Sequence, residues 1–172
     1  AQEMSGEASS RADIGIPQDQ HDLLQALAAT GKPLVLVVVT GRPLTLTWEQ
    51  EHTTAILVMW FGGTEAGNGV ADVLFGTHNP SGRLTTTFPQ HVGQIPLYYN
   101  HKNTGRPYGG EILDKFKSRY LDVPNDPLYP FGYGLSYTTF DYGPVKLGKT
   151  KLQGDETLQA SVTLTNTGTY AG

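Results

Sequence analysis

The segment SGEASSR, at residues 5–11, places one carboxylate after a flexible glycine and before a cation. Glu7 in that segment could exchange protons with a bound substrate as a general acid or base. Segments of this composition are common, and a carboxylate near a chain terminus is usually a solvated surface group. Glu7 is therefore a candidate whose role the rest of the sequence has to decide.

Other catalytic and metal-binding patterns are missing from the sequence. The chain has no cysteine, so neither a disulfide nor a thiolate metal site can form. Its histidines, which lack metal-ligand spacing, are His21, His52, His78, His91 and His101. The glycine-rich residues 63–69 resemble a phosphate loop but lack its Gly-Lys-Ser/Thr end, and no Gly-x-Ser-x-Gly elbow occurs. We therefore expect no metal and no cofactor.

Alternating helical and apolar segments predict an open α/β sheet. Residues 34–39 and 55–60 are uninterrupted apolar runs, typical of parallel strands buried on both faces. Apolar faces, caps and terminal glycines predict helices within residues 16–31, 47–54 and 64–76. Helix and strand in alternation imply right-handed crossovers. Because two strands are too few for a parallel sheet, we expect further strands from polypeptide outside this chain.

The remainder of the chain changes character twice. Residues 76–142 are rich in Gly, Pro, Asn and Tyr, which favours long ordered loops of the kind that are often functional. Residues 158–165 alternate strictly between apolar and polar side chains, which predicts an antiparallel strand with one solvated face. A complete β-sandwich needs roughly a hundred residues. We therefore expect only the beginning of one here.

Charge and hydropathy exclude several classes of partner. The formal charge is −4, and both signs are scattered along the chain. This distribution argues against a nucleic-acid-binding protein and against a surface for anionic membranes. The longest apolar run is far shorter than a membrane span, and the N-terminus lacks the layout of a signal peptide. We expect no contact with nucleic acid or membrane.

Several segments in the middle of the chain resemble the signature of glycoside hydrolase family 3. They are WFGGTEAG at 60–67, ADVLFG at 71–76, NPSGRL at 79–84 and FP at 88–89. Two later segments, SRY at 118–120 and LYPFGYGLSYTTF at 128–140, are similar to a second signature of that family. The segment NTGRP at 103–107 further resembles the bacterial periplasmic β-glucosidase branch. These matches follow the family order and spacing over nearly the whole chain.

The resemblance implies a domain arrangement. In that family a TIM barrel with the nucleophilic aspartate comes first, an α/β sandwich with the acid/base glutamate second, and often a fibronectin-III-like domain third. We therefore expect an α/β fold: a partial α/β sandwich with an open, mostly parallel sheet, followed by the start of a fibronectin-III-like β-sandwich. The expected boundaries are residues 1–90 for the sandwich, 91–142 for a long ordered loop and linker region, and 143–172 for the truncated fibronectin-III-like domain.

Glu7 falls where the family places its acid/base residue, although Ala8 stands where many members have glycine. The resemblance thus implies a retaining, exo-acting β-glucosidase that hydrolyses terminal β-D-glucosyl residues. Glu7 would supply the acid/base carboxylate, and a TIM barrel outside this chain would supply the nucleophile. No aspartate here lies in a segment similar to the family's nucleophile motif. We therefore expect the isolated chain to be inactive or nearly so.

Partners and location follow from the same resemblance. The expected partners are a β-glucoside or oligosaccharide substrate, the TIM-barrel domain and, as one assembly to consider, a second copy of the chain in a homodimer. The expected location is the periplasm or the extracellular medium. Any signal peptide would then precede the present sequence.

The candidate substrate-binding residues lie after a predicted strand and in the loops. Trp60 ends the second predicted strand, and ligands gather beyond the carboxyl ends of strands in open α/β folds. Its ring could form a sugar-stacking platform, with core packing as the alternative. The residues that could hydrogen-bond sugar hydroxyls at the mouth of a cleft are Arg11, His101, Asn103 and Arg106. For each of these, scaffolding of its own loop is the competing interpretation.

Two other functions are compatible with parts of the sequence. A free-standing, non-catalytic carbohydrate-binding or scaffold module could use Trp60 and the tyrosine-rich loops, and its sugar binding would survive Glu7→Gln. A flavodoxin-like nucleotide-binding protein is also consistent with the α/β pattern, but the sequence lacks a phosphate-binding fingerprint.

Overall fold

The computed structural model describes residues 9–102, 105–106 and 115–172. The first half holds α1 (Gln18–Ala28), β1 (Val35–Val38), α2 (Thr47–His52), β2 (Ala55–Val58) and α3 (Ala66–Leu74). A short 3-10 helix (Val92–Gln94) follows, and then β3 (Phe140–Tyr142), β4 (Lys146–Leu147), β5 (Ala160–Ser161) and β6 (Leu164–Asn166). The predicted class, a parallel α/β part followed by antiparallel strands, is confirmed.

The described residues fall into two compact units. The first unit comprises those within Ala1–Val70 and Arg83–Tyr133, and the second comprises Ala71–Gly82 and Gly134–Gly172. The boundaries expected at residues 90 and 142 stay a prediction. None of the helices in the described residues is long and apolar enough to cross a membrane.

The parallel sheet of the first unit consists of β1 and β2. Their register runs from Val35 opposite Ala55 to Val38 opposite Val58, as the parallel arrangement of the two apolar runs predicted. The even-numbered side chains of β1 and β2 belong to the core cluster. On the other side of the sheet, Val35 and Val39 are 48% and 59% exposed. The described residues cover only one face of the sheet, so the predicted burial on both faces is wrong for them. A parallel strand is buried on both faces only where other elements cover each face.

Local sequence explains the helix ends. Pro17, at the N-cap of α1, has an extended backbone (φ −52°, ψ 142°), and Asp19 in the first turn favours the positive end of the helix dipole. Beyond the helix, Gly31 adopts a positive φ of 69°, which suits glycine and ends the element. Gly76 has the same role after α3, with a φ of 75°.

The core of the first unit is completed by the two signature segments. Val38, Leu44, Leu46 and Phe88 are its buried members. The N–H of Phe88 donates to the carbonyl of Tyr129 at 2.9 Å, in an antiparallel bridge. Residues 84–88 thus run beside residues 128–133. This pairing gives both motifs a structural role in the core.

The second unit contains an antiparallel hairpin instead of the single uninterrupted strand predicted at residues 158–165. β3 pairs with β6, and β4 pairs with β5. Between the pairs Tyr142–Leu164 and Lys146–Ser161, three residues (143–145) on one side face only two (162–163) on the other. The one extra residue on the first side forms a β-bulge. Pro144 lies in it and has no N–H to donate, so the ladder is interrupted there.

Candidate active site

The turn after β1 provides the first wall of the candidate site. Thr40 is buried, and its hydroxyl donates to the carbonyl of Arg42 at 2.9 Å while accepting the N–H of Arg42 at 3.2 Å. These two bonds fix the Thr40-Gly41-Arg42 turn. Because β1 and β2 are parallel, this turn and Trp60 follow the same edge of the sheet, where ligands bind in open α/β folds.

Arg42 also connects this edge to the start of the described chain. Its Nη2 donates to the carbonyl of Ser9 at 2.7 Å, and the N–H of Thr45 donates to the carbonyl of Ile14 at 3.1 Å. Residues 9–14 therefore lie along the loop between β1 and α2. Glu7, the predicted acid/base residue, lies outside the described residues. Sequence reasoning missed Arg42, although an arginine in a turn after a buried strand was a usable signal.

Trp60 lies in a strained turn and contacts the core. Its φ is 52°, in the left-handed region that a bulky side chain rarely adopts. Such strain is common at functional sites but does not by itself define one. Its half-buried ring lies 5.9 Å from that of Phe88 and is tilted by 57°. The backbone just after Trp60 packs closely against α3, since a Cβ added at Gly62 would lie 2.8 Å from the Cβ of Ala66. The core contact is present, and the stacking role stays a prediction.

Three of the remaining predicted binding residues, Arg11, His101 and Arg106, are exposed. Arg11, His101 and Arg106 make no side-chain hydrogen bond or ion pair with the residues that the structure describes, and Asn103 lies outside them. The backbone N–H of His101 donates to the carbonyl of Tyr98 at 3.2 Å, and the carbonyl of Arg106 accepts the N–H of Ser118 at 2.9 Å. Within the described ranges, no hydrogen bond or ring contact joins these side chains to one another or to Trp60.

An open cavity of about 330 Å³ lies in the loop that follows Ser118. Residues 119–126 line it, including the aromatic ring of Tyr120 and the polar side chains of Asp122 and Asn125. Its volume is at the lower end of the roughly 300–1,000 Å³ range of small-molecule sites. A single continuous segment forms this open cavity, and sequence reasoning did not single it out.

Two other groups of ionisable residues have structural roles. Burial and, secondarily, the neighbouring phenol of Tyr133 raise the pKa of Tyr129 above its ordinary value. Tyr129 is thus a neutral core residue at neutral pH.

Glu49 is buried, and its Oε1 lies 3.0 Å from Nδ1 of His21, which links α2 to α1. Within the described ranges, no cluster of His, Asp or Glu side chains could hold a metal ion.

Comparison with known proteins decides the family. A sequence profile described as the glycosyl hydrolase family 3 C-terminal domain matches residues 1–137. The chain belongs to this family. The match confirms the resemblance drawn from the two signatures, and it identifies the α/β part of the chain as a family 3 C-terminal domain.

Relatives of this family 3 domain include named glycosidases. It is 59% identical to the periplasmic beta-glucosidase of Salmonella typhimurium, over 100% of this chain and 22% of that protein. It is 42% identical to a beta-xylosidase of Formosa agariphila, over 97% of this chain and 22% of that protein. The crystal structure of a beta-glucosidase from Listeria innocua in complex with glucose superimposes with a TM-score of 0.88 at 46% identity, covering 96% and 23% of the two chains. The chain thus spans about a fifth of the length of these relatives.

Proposed function

We propose that the full-length protein containing this chain is a retaining, exo-acting β-glucosidase, and that Glu7 is its acid/base residue. The structural observation that carries the proposal is the bond from Arg42 to the carbonyl of Ser9, two residues after Glu7. This bond anchors Ser9 at the carboxyl edge of the parallel sheet. The family membership and the beta-glucosidase relatives support the same activity.

The proposed mechanism needs two carboxylates about 5–5.5 Å apart on either side of the glycosidic bond. Glu7 protonates the departing oxygen while a nucleophilic aspartate attacks the anomeric carbon and forms a covalent glycosyl-enzyme. The Glu7 carboxylate then takes a proton from water, and the resulting hydroxide displaces the aspartate. A partly apolar, enclosed site would keep Glu7 protonated before the first step.

The other partners of this chain are part of the same proposal. A TIM barrel would supply the nucleophile, and polypeptide outside this chain would cover the exposed side of β1. Residues 143–172 would begin a fibronectin-III-like domain, and a homodimer stays a prediction. By analogy with the Salmonella relative, the protein would act in the periplasm or be secreted.

Substrate contacts are assigned to four polar residues and to the aromatic ring beside the sheet. We assign hydrogen bonds to sugar hydroxyls to Arg11, His101, Asn103 and Arg106, and a ring contact to Trp60. Three of these residues have side chains with no hydrogen bond to any described residue, so their donors are available to a ligand. An arginine–hydroxyl bond uses a charged donor and is stronger than a neutral one.

Leaving-group dependence tests the role of Glu7. In the full-length enzyme, Glu7→Gln should lower kcat/KM by about 100-fold or more on cellobiose, whose leaving group needs a proton. The loss should be much smaller on 2,4-dinitrophenyl β-glucoside, whose leaving group departs as an anion. Arg42→Met should show the same pattern to a smaller degree, because it releases the backbone of Ser9.

The control is Glu51→Gln, which removes an exposed carboxylate from α2 and should leave both rates within about twofold of wild type. Equal losses by Glu7→Gln on both substrates would argue against an acid/base role. Preference for an aryl β-xyloside over the glucoside would change the substrate class. If the full-length protein lacks turnover but binds cellobiose, and this binding survives Glu7→Gln and disappears in Trp60→Ala, the non-catalytic module is supported instead.

A further inference from the structure

Gln94 is a buried amide whose hydrogen-bonding capacity is completely used. The residue is 3% exposed and ends the short 3-10 helix. Its Oε1 accepts the N–H groups of Gln90 and His91, at 2.7 and 3.1 Å. Its Nε2 donates to the carbonyls of Pro124 and Asp126, at 2.7 and 3.2 Å. Two acceptor sites and two donors are all that a side-chain amide offers.

This arrangement fixes the amide in one orientation. A flipped amide would point its NH2 group at two N–H donors and its oxygen at two carbonyls, leaving buried groups unsatisfied. Two neighbouring bonds support the same contact: Gln90 Nε2 donates to the carbonyl of Asp126 at 2.9 Å, and the Tyr120 hydroxyl donates to the carbonyl of Gly93 at 3.2 Å. Residues 90–94 therefore hold the loop at residues 120–126 from several points.

Asn125 extends the connection beyond that loop. Gln94 binds the carbonyls of the residues on either side of Asn125. The Oδ1 of Asn125 accepts the N–H of Tyr120 at 3.2 Å, and its Nδ2 donates to the carbonyl of Ser118 at 2.8 Å. The N–H of Ser118 then donates to the carbonyl of Arg106 at 2.9 Å. A continuous set of bonds thus runs from a buried amide to the backbone of an exposed arginine.

We propose that Gln94 is a positioning residue for substrate binding, acting through Asn125 and Ser118 on the backbone of Arg106. The proposal rests on the assignment of Arg106 to substrate hydroxyls. Because the Arg106 side chain has no hydrogen bond to the described residues, its direction depends on where its backbone is held.

A double-mutant cycle in the full-length enzyme measures this coupling, with cellobiose as the substrate. Arg106→Ala should raise KM by about 10- to 100-fold, as expected for loss of a charge-assisted hydrogen bond, with kcat within about twofold. Gln94→Leu should raise KM about tenfold. The double variant should be no worse than Arg106→Ala alone, because a misplaced arginine and a missing one lose the same contact.

Asn125→Asp is a second route to the same result if Gln94→Leu does not fold. It keeps the size of the side chain but places an oxygen against the carbonyl of Ser118, and its effect should also vanish in the Arg106→Ala background. Gln50→Leu is the control, since Gln50 is an exposed glutamine on α2. It should leave KM within about twofold.

The outcomes separate the two proposals. If Arg106→Ala raises KM but the Gln94 effect is absent, or multiplies with that of Arg106, Gln94 is not a positioning residue for Arg106. If Arg106→Ala leaves KM unchanged, the assignment of Arg106 to the substrate is wrong, and the role proposed for Gln94 is overturned with it. Glu7→Gln is measured separately, so the acid/base proposal can stand or fail independently.

Discussion

The two units of the chain bury different kinds of side chain. In the first, Leu46 and Phe88 are completely buried and pack in one apolar cluster. In the second, whose residues are all described, Thr138 is the single buried residue, and no residue of β3 to β6 is buried. Burial of apolar surface therefore holds the first unit together. The second unit must rely on other interactions.

Hydrogen bonds from one half-buried asparagine hold the backbone of the second unit. Asn79 Nδ2 donates to the Ser136 hydroxyl at 2.9 Å and to the carbonyl of Ala171 at 3.1 Å. Its Oδ1 accepts the N–H of Tyr137 at 2.8 Å. The side chain thus joins three distant backbone segments. The comparison indicates that a short motif can support either an apolar core, as Phe88 does, or a polar junction, as Asn79 does.

The largest expected effect comes from the apolar core. Phe88→Ala should lower the free energy of local opening in the first unit by about 3–5 kcal/mol, because it removes a fully buried ring and leaves a cavity. Hydrogen exchange by mass spectrometry on the full-length protein measures that opening in peptides covering residues 84–88 and 128–133.

The matched control for Phe88 lies in the second unit. Phe75 is 84% exposed, so Phe75→Ala should change the opening free energy by no more than about 0.5 kcal/mol. Comparable protection losses in the two variants would show that apolar burial does not distinguish the units.

A smaller effect is expected at the polar junction. Asn79→Ala should lower the free energy of opening of residues 134–140 by roughly 1–3 kcal/mol, since it leaves the N–H of Tyr137 and the carbonyl of Ala171 without a partner. The same exchange experiment measures it. Asn68→Ala, which removes an exposed bond to Glu65, is the control. If Asn79→Ala left the exchange of residues 134–140 unchanged, hydrogen bonding by Asn79 would not be what holds the second unit.

The sequence predicted those elements whose signals are local. The apolar runs of β1 and β2, the proline before α1 and the glycine after α3 each act over a few residues, and all are confirmed. The hairpin differs because its bulge depends on the partner strand: alternation at residues 158–165 gives no sign that Pro144 lies opposite. Burial on both faces of β1 also depends on elements that the described residues do not provide.

The candidate site was less accessible to sequence reasoning for a related reason. Motif resemblance singled out Glu7, and position in a polar loop singled out Arg106, but neither signal pointed to Arg42 or Gln94. Arg42 acts on Ser9 across more than thirty residues, and Gln94 acts on Asp126 across a similar separation. Long-range bonds of this kind leave no periodic or spacing signal. An amide such as Gln94 is an ordinary polar residue until the fold shows it to be buried.

The smallest expected effect is a pH dependence that also separates the units. Burial raises the pKa of Tyr129, so above about pH 10 the unfolded chain loses this proton while the native state keeps it. The unfolded state then binds fewer protons, and stability falls as pH rises through that range. Between about pH 9 and pH 11, the free energy of unfolding measured with urea should therefore fall less in full-length Tyr129→Phe than in wild type. Tyr142→Phe, at a residue that is 74% exposed in the second unit, should follow the wild-type curve. Parallel curves for wild type and Tyr129→Phe would mean that the Tyr129 phenol does not contribute to this dependence.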